Sequence, residues 1–266
     1  MTASGRQGDA DAFSWERLRE FTAARIGLGD AGGSLPTRPL LEFQLAHARA
    51  RDAVHLAYDV DGMLAGVTQR GWRALRVASA VRDRAEYLKR PDLGRKLSVD
   101  SRAVLHGQQL SGRRYAVAFV VADGLSALAV HRHALPLLDV VLPRLVERGW
   151  DIAPIVLASQ GRVALGDEVA ALLPARIIVM LIGERPGLSS PDSLGVYMTY
   201  EPTPACTDAQ RNCISNIRPE GLSYDIAGRK LIYLLDQSSR RRLSGVTLKD
   251  EFESLALPAA TARLVK

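Results

Sequence analysis

The pattern of apolar positions divides the chain in two. From residue 13 to about residue 109 apolar residues recur at helical spacing; after residue 114 they come in unbroken runs separated by glycine-containing turns. In the first part, residues 13–27 (FSWERLREFTAARIG) read as a helix, with Ser14 as N-cap, Gly27 as stop and Trp15, Leu18 and Ala23 between them. Residues 36–55 (PTRPLLEFQLAHARARDAVH) read as a longer one. Thr37 takes the N-cap, Pro39 falls in the first turn where its missing N–H is tolerated, and Leu40, Phe43, Ala50 and Val54 form the apolar set. His47, Arg51 and His55 share a polar stripe on that helix. A third helix is expected within residues 77–94, stopping at Pro91.

In the second part, YAVAFVVADGLS (115–126), DIAPIVLASQG (151–161) and RIIVMLIGERPG (176–187) are continuous apolar runs that suit strands buried on both faces. The last runs from Ile177 to Ile182 and Gly183 before turning abruptly into Glu184-Arg185-Pro186-Gly187. Helical stretches lie between them, at 127–148, kinked or split by Pro136 and Pro143, and at 167–173. LGVYMTYEP (194–202) is rich in strand formers, and SYDIAGRKLIYLLDQSS (223–239) is an amphipathic closing helix. Gly-Leu-Ser occurs three times, and Ser126 and Ser223 each stand where a helix N-cap is needed. Strands alternating with helices imply an α/β fold: a mostly parallel, Rossmann-like sheet flanked by helices. An N-terminal helical region (1–110) precedes the α/β domain (111–266).

Composition narrows the functional classes. The 266 residues are 47% hydrophobic and 24% charged, ordinary for a globular protein. A net charge of +6 raises the question of nucleic acid, but the basic residues are scattered among acids and only 6% of the chain is aromatic. No basic run carries stacking aromatics, so no nucleic-acid surface is expected. The densest basic cluster, SSRRRL (238–243), fits a helix C-terminus. The longest apolar stretch, 169–183, is interrupted by Pro174 and Arg176, so no membrane span is expected. The polar N-terminus lacks the apolar core of a signal peptide, and a cytoplasmic setting follows. Cys206 and Cys213 match neither a CxxC nor a zinc pattern and are expected to be free thiols.

Familiar catalytic motifs are missing. There is no Walker A sequence, no GxGxxG opening a helix after a strand and no HExxH. GLSAL (124–128) lacks the second glycine of a nucleophile elbow, and His131 and His133 point to different sides of one helix. No catalytic residue and no metal site is expected. Topology remains: ligands of open α/β sheets bind outside the carboxyl ends of the strands, where ADGLS, ASQGRVALGD and GERPGL fall. Glu184 and Arg185 emerge there, either to pair with each other or neighbouring loops or to meet a ligand.

These loops resemble a known family. RIGLGDAGGSLPTRPLLEFQLAHARARDAVH, YLKRPDLGRKLS, ADGLSALAV, SQGRVALGDEV, LIGERPGLSSPDSLGVYMTY and RNCISNIRPEG are similar to the light chain of ethanolamine ammonia-lyase, from about residue 25 to residue 245. GERPGL and CISNI in this order are the most specific part. The resemblance implies an adenosylcobalamin-dependent lyase that converts ethanolamine to acetaldehyde and ammonia. It also implies a heavy-chain partner, a TIM barrel that performs the chemistry, in a hetero-oligomer of heavy–light pairs with the cofactor between the two chains. The family's cofactor contacts fall on Val163, Glu184 and Cys213, and residues 1–110 would dock the heavy chain. Some members carry a longer leader implicated in enclosure within a bacterial microcompartment; the polar residues 1–14 depart from it. The histidine contexts LAHAR, AVHLA, VLHGQ and VHRHAL contain no D-x-H-x-x-G ligand motif, so the cobalamin is expected base-on. The alternative is a stand-alone, non-catalytic α/β ligand-binding module.

Overall fold

The computed structural model describes residues 15–22, 24–29, 32–109 and 114–252. The first part of the chain supplies α1 (Trp15–Arg19), α2 (Thr37–His55), α3 (Val60–Gln69), β1 (Ala74–Ala78), α4 (Arg84–Lys89) and α5 (Val99–Gln109). There follow β2 (Tyr115–Ala122), α6 (Ala127–Glu147), β3 (Ile155–Ser159), α7 (Leu165–Leu172), β4 (Ala175–Gly183), β5 (Leu194–Tyr200), β6 (Arg211–Ile217) and α8 (Tyr224–Arg241). The strands form one sheet in the order β1-β3-β2-β4-β5-β6. The first four are parallel, while β5 and β6 extend the sheet antiparallel from β4. The α/β expectation holds, with an antiparallel edge on the parallel core.

Alternation along the central strands explains the apolar runs. Val117, Phe119 and Val121 of β2 face one side with Ile177, Val179 and Leu181 of β4, packed on α3, α6 and α8. Ala118, Val120 and Ala122 face the other with Ile178, Met180 and Ile182, packed on α5 and α7. A strand with helices on both faces needs no polar face, so period two is invisible in its sequence. The α5–α7 layer reaches only the start of β6, at Arg211: farther along that side, Cys213 and Ser215 are exposed.

Several local readings change. Helix α1 ends at Arg19, where its guanidinium turns back onto the carbonyls of Ile26 and Gly27; Ser14 lies outside the described residues. Pro36, not Thr37, occupies the cap of α2, without a side-chain bond. Residues 77 and 78 belong to strand β1, and the helix after them is only α4, capped by the Asp83 carboxylate accepting from Glu86 N. Helix α6 runs unbroken through Pro136 and Pro143. Ser126 and Ser223 cap α6 and α8 as expected, and Arg242 ends α8 in the left-handed region. Among the described residues no helix is long and apolar enough to cross a membrane.

Candidate functional site

The chain leaves β2 toward β3 on one side and returns past it to β4 on the other, so the carboxyl ends of these strands part and open a crevice. A cleft of about 430 Å³ lies there, lined by Tyr87, Gly124, Leu125, Arg162, Val163, Ile182, Gly183, Glu184, Arg185 and Tyr197. Backbone forms much of its floor. Gly124, at φ +55°, packs so tightly on the Gly183 carbonyl and Ile182 that a Cβ would overlap both, and Leu125 N donates to Gly183 O at 3.0 Å. A Cβ on Gly183 would overlap the carbonyls of Ser126 and Asp123. Glycine is required at both positions for the β2 and β4 turns to touch.

Glu184 leaves the end of β4 half-buried, and it does not pair with Arg185, which is exposed. One carboxylate oxygen, Oε2, accepts from the Ser193 hydroxyl and, at 3.3 Å, from Asn216 N. Asn216 holds the left-handed backbone that aims this N–H, with φ +60°. Gly195 makes room for the other oxygen: a Cβ there would lie 2.8 Å from Oε1. Oε1 has no hydrogen bond among the described residues and remains an acceptor. Val163 lies on the loop between β3 and α7, half-buried on the opposite wall. Cys213 does not line the cleft but is paired in register with Tyr197, which does. Its Sγ lies 3.2 Å from Ser215 Oγ. Burial, then the neighbouring Cys213 thiol, pushes the Tyr197 hydroxyl pKa up. The three sequence-expected residues thus surround one opening and the sheet face beside it. Both cysteines are free thiols.

Sequence reasoning missed the inner wall. Tyr87, from α4, is fully buried, donates its hydroxyl to Gly161 O at 3.0 Å, and lies between two guanidinium groups. Arg84 and Arg162 sit 4.7 and 4.2 Å from its ring centroid, within cation–π range. Asp123, at the end of β2, is buried and accepts from Arg84 Nη1 and Gly161 N, each at 3.3 Å. Burial pushes its carboxyl pKa up to about 6, against the opposing pull of Arg84 and the Gln160, Gly161 and Gly124 backbone. The only signal was position: Asp123-Gly124 ends an apolar run where strand-end ligands bind.

A larger opening, about 530 Å³, lies beyond Ala164, but its best-placed polar groups, Arg102 and Glu168, are joined to each other at 2.6 Å. Among the described residues no group of three His, Cys, Asp or Glu side chains is arranged to hold a metal ion. His131 accepts from Asp59 N at 2.9 Å, and buried His133 meets the Tyr224 hydroxyl at 2.8 Å. The cleft therefore offers a hydrogen-bond acceptor, cations and apolar wall, the mixture found in ligand-recognition sites.

Comparison with known proteins agrees with the motifs around this cleft. A family model described as the ethanolamine ammonia-lyase light chain matches residues 12–249. The ethanolamine ammonia-lyase small subunit of Azotobacter vinelandii is 58% identical over 249 residues, 92% of each chain. That of Xanthomonas campestris pv. campestris is 58% identical over 250 residues, covering 94% of this chain and 92% of its own. That of Pseudomonas putida is 58% identical over 241 residues, covering 90% and 88%. With the family model spanning GRV, GERPGL and CISNI alike, the chain belongs to the ethanolamine ammonia-lyase light chain family.

Proposed function

We propose that this chain holds base-on adenosylcobalamin against a heavy TIM-barrel subunit, in a hetero-oligomer of heavy–light pairs that converts ethanolamine to acetaldehyde and ammonia. Val163, Glu184 and Cys213 contact the cofactor, and catalytic residues belong to the heavy chain. The bound cofactor supplies the radical chemistry; this chain's residues bind and orient it. The observation that carries the reading is Glu184 Oε1, an unspent carboxylate acceptor beside an open cleft. The corrin periphery carries carboxamide groups, whose N–H bonds to a carboxylate are charge-assisted. Val163 adds apolar wall, and the uncovered face of β6 lets a flat ring lie over Cys213.

Residues 1–110 carry the proposed docking surface for the heavy chain. Helix α2 buries only Ala46 and Ala53, while Leu41 and Leu45 are 58% and 52% exposed and Leu40 and Phe43 are exposed beside them. Exposed apolar surface of this extent on a folded helix calls for a partner. His47, Arg51 and His55 are exposed as well. A cytoplasmic setting is part of the same proposal, and co-sedimentation with shell proteins would extend it to a bacterial microcompartment.

The test is co-expression with an ethanolamine ammonia-lyase heavy chain, followed by co-purification and a visible absorption spectrum. The expected result is a complex that binds adenosylcobalamin and releases acetaldehyde only with both chains present. Glu184→Gln should weaken cobalamin binding about tenfold, close to 1.4 kcal/mol, without disturbing assembly. No complex and no cobalamin would favour the stand-alone binding module, and unchanged affinity in the variant would remove Glu184 from the site.

A further inference from the structure

Arg84 belongs to α4, in the first part of the chain, yet its guanidinium reaches three other segments. Its Nη1 donates to Gly124 O at 2.8 Å and to Asp123 Oδ2 and Gln160 Oε1 at 3.3 Å each. Its Nε donates to Val54 O, in the last turn of α2, at 2.7 Å. Its flat face covers the Tyr87 ring, and its buried Nη2 has no hydrogen-bond partner among the described residues. The acceptors come from the turn after β2, the turn after β3 and the exposed helix α2. Gln160 holds a left-handed backbone, φ +57°, at its end of this bridge. Tyr87, whose hydroxyl donates to Gly161 O while Arg162 Nη2 donates to Tyr87 O at 3.1 Å, carries the link on to the Val163 loop.

We propose that Arg84 is the positioning residue of the cofactor-facing cleft: it locks the Gly124 and Gln160 turns to each other and to α2, setting the width between Val163 and the β4 turn that bears Glu184. The idea rests on the cofactor site proposed above. Arg84 bonds to the turns after β2 and β3, which the Gly161 N–Asp123 bond also joins, and the β2 turn in turn packs through Gly124 and Leu125 on the Gly183 carbonyl where the β4 turn begins. A single half-buried guanidinium with four acceptors in three directions fixes those loops as no lysine can, because Lys offers one nitrogen on a flexible stem. Arg84 faces Asp123, Tyr58 lies near Asp123 from the α2–α3 connection, and Arg162 covers the far side of Tyr87. No other basic side chain bonds to Asp123 among the described residues.

The inference separates affinity from stability, and two variants of the complex with a heavy chain test it. Arg84→Lys keeps a cation beside Asp123, so its urea midpoint should stay near that of the wild type. It cannot bridge the turns, and visible-absorbance titration should show adenosylcobalamin bound at least tenfold more weakly. The double variant Arg84→Met/Asp123→Asn leaves no uncompensated charge, so it should fold with the wild-type circular dichroism spectrum and show the same loss. Binding within twofold of the wild type in both variants would overturn the role of Arg84 while leaving the cofactor site standing. A wild-type complex that assembles but takes up no cobalamin would overturn both. Loss of affinity only in step with loss of the urea midpoint would make Arg84 an ordinary structural residue and overturn the positioning role.

Discussion

The sheet is fastened by two arginine–aspartate pairs, one buried on both sides and one with a half-buried arginine, and they are built differently. Under the antiparallel edge, Arg211 of β6 meets Asp167 of α7 with two bonds of 2.8 and 2.6 Å, and both side chains are 3% exposed. The Thr199 hydroxyl accepts a further bond from Arg211 at 3.1 Å. At the carboxyl edge, Arg84 meets Asp123 through one contact of 3.3 Å, with the same nitrogen shared by two other acceptors. Asp167 raises the Arg211 pKa, whereas burial pushes Asp123 up to about 6 even with Arg84 beside it. The first pair gives its carboxylate two short bonds from both terminal nitrogens; the second spreads one nitrogen over several loops and leaves its carboxylate undercompensated. Incomplete compensation beside a cleft is a mark of binding sites, where geometry for a ligand takes precedence over stability.

Removing one arginine at a time should give the largest effects and could break the comparison outright. Arg211→Met strands a carboxylate in a closed environment and should lower unfolding free energy by about 3–5 kcal/mol. Arg84→Met should cost less. Burial already pushes the Asp123 carboxyl up to about 6 against the pull of Arg84, so without Arg84 it rises further and escapes by taking a proton. Urea denaturation at pH 7 compares them; a larger loss for Arg84→Met would reverse the assignment of the stronger fastening.

The pH dependence sharpens the same point. The folded pKa of Asp123 lies above that of an ordinary aspartate, so its contribution to stability is fully present below about pH 4 and is lost as pH rises through about 6. The whole effect is about 3 kcal/mol at 1.36 kcal/mol per unit. Asp123→Asn has no such titration. The wild type should therefore lose about that much stability relative to the variant between pH 4 and pH 7, and a constant difference would show that Asp123 is not held in tension. Gly183→Ala comes next. Its Cβ would overlap the carbonyls of Ser126 and Asp123 at the join of the two turns, costing about 1–3 kcal/mol. It should weaken cobalamin binding in the complex more than its loss of stability accounts for.

Legibility from sequence follows the same division. β2, β3 and β4 announce themselves because both faces are buried, and their ends mark the cleft with Val163 and Glu184. β1 does not: in ALRVA only Val77 is buried, and its residues merge into a helix-like pattern. β6 does not either, since RNCISNI buries Arg211, Ile214 and Ile217 while its outer face is open. Arg84 was invisible because RAEYLK reads as a surface helix, and its partner Asp123 is 39 residues away. Periodicity reports which face is buried and says nothing about which distant turn a half-buried arginine will reach.

Cys213 supplies the smallest effect and the closest control. It stands two residues from Arg211, on the same face of the same strand, but beyond the cover of α7. Its Sγ lies 3.2 Å from Ser215 Oγ and beside the Tyr197 hydroxyl, and a serine hydroxyl can bond to both. Nothing buried is unpaired by the change, so Cys213→Ser should alter unfolding free energy by no more than about 0.5 kcal/mol. Close approach of a flat cofactor needs a small side chain here rather than a thiol, so cobalamin affinity should stay within about twofold and acetaldehyde release should persist. Complete inactivation with the fold intact would mean that the sulfur itself acts on the cofactor, and would move this open face of β6 from support to chemistry.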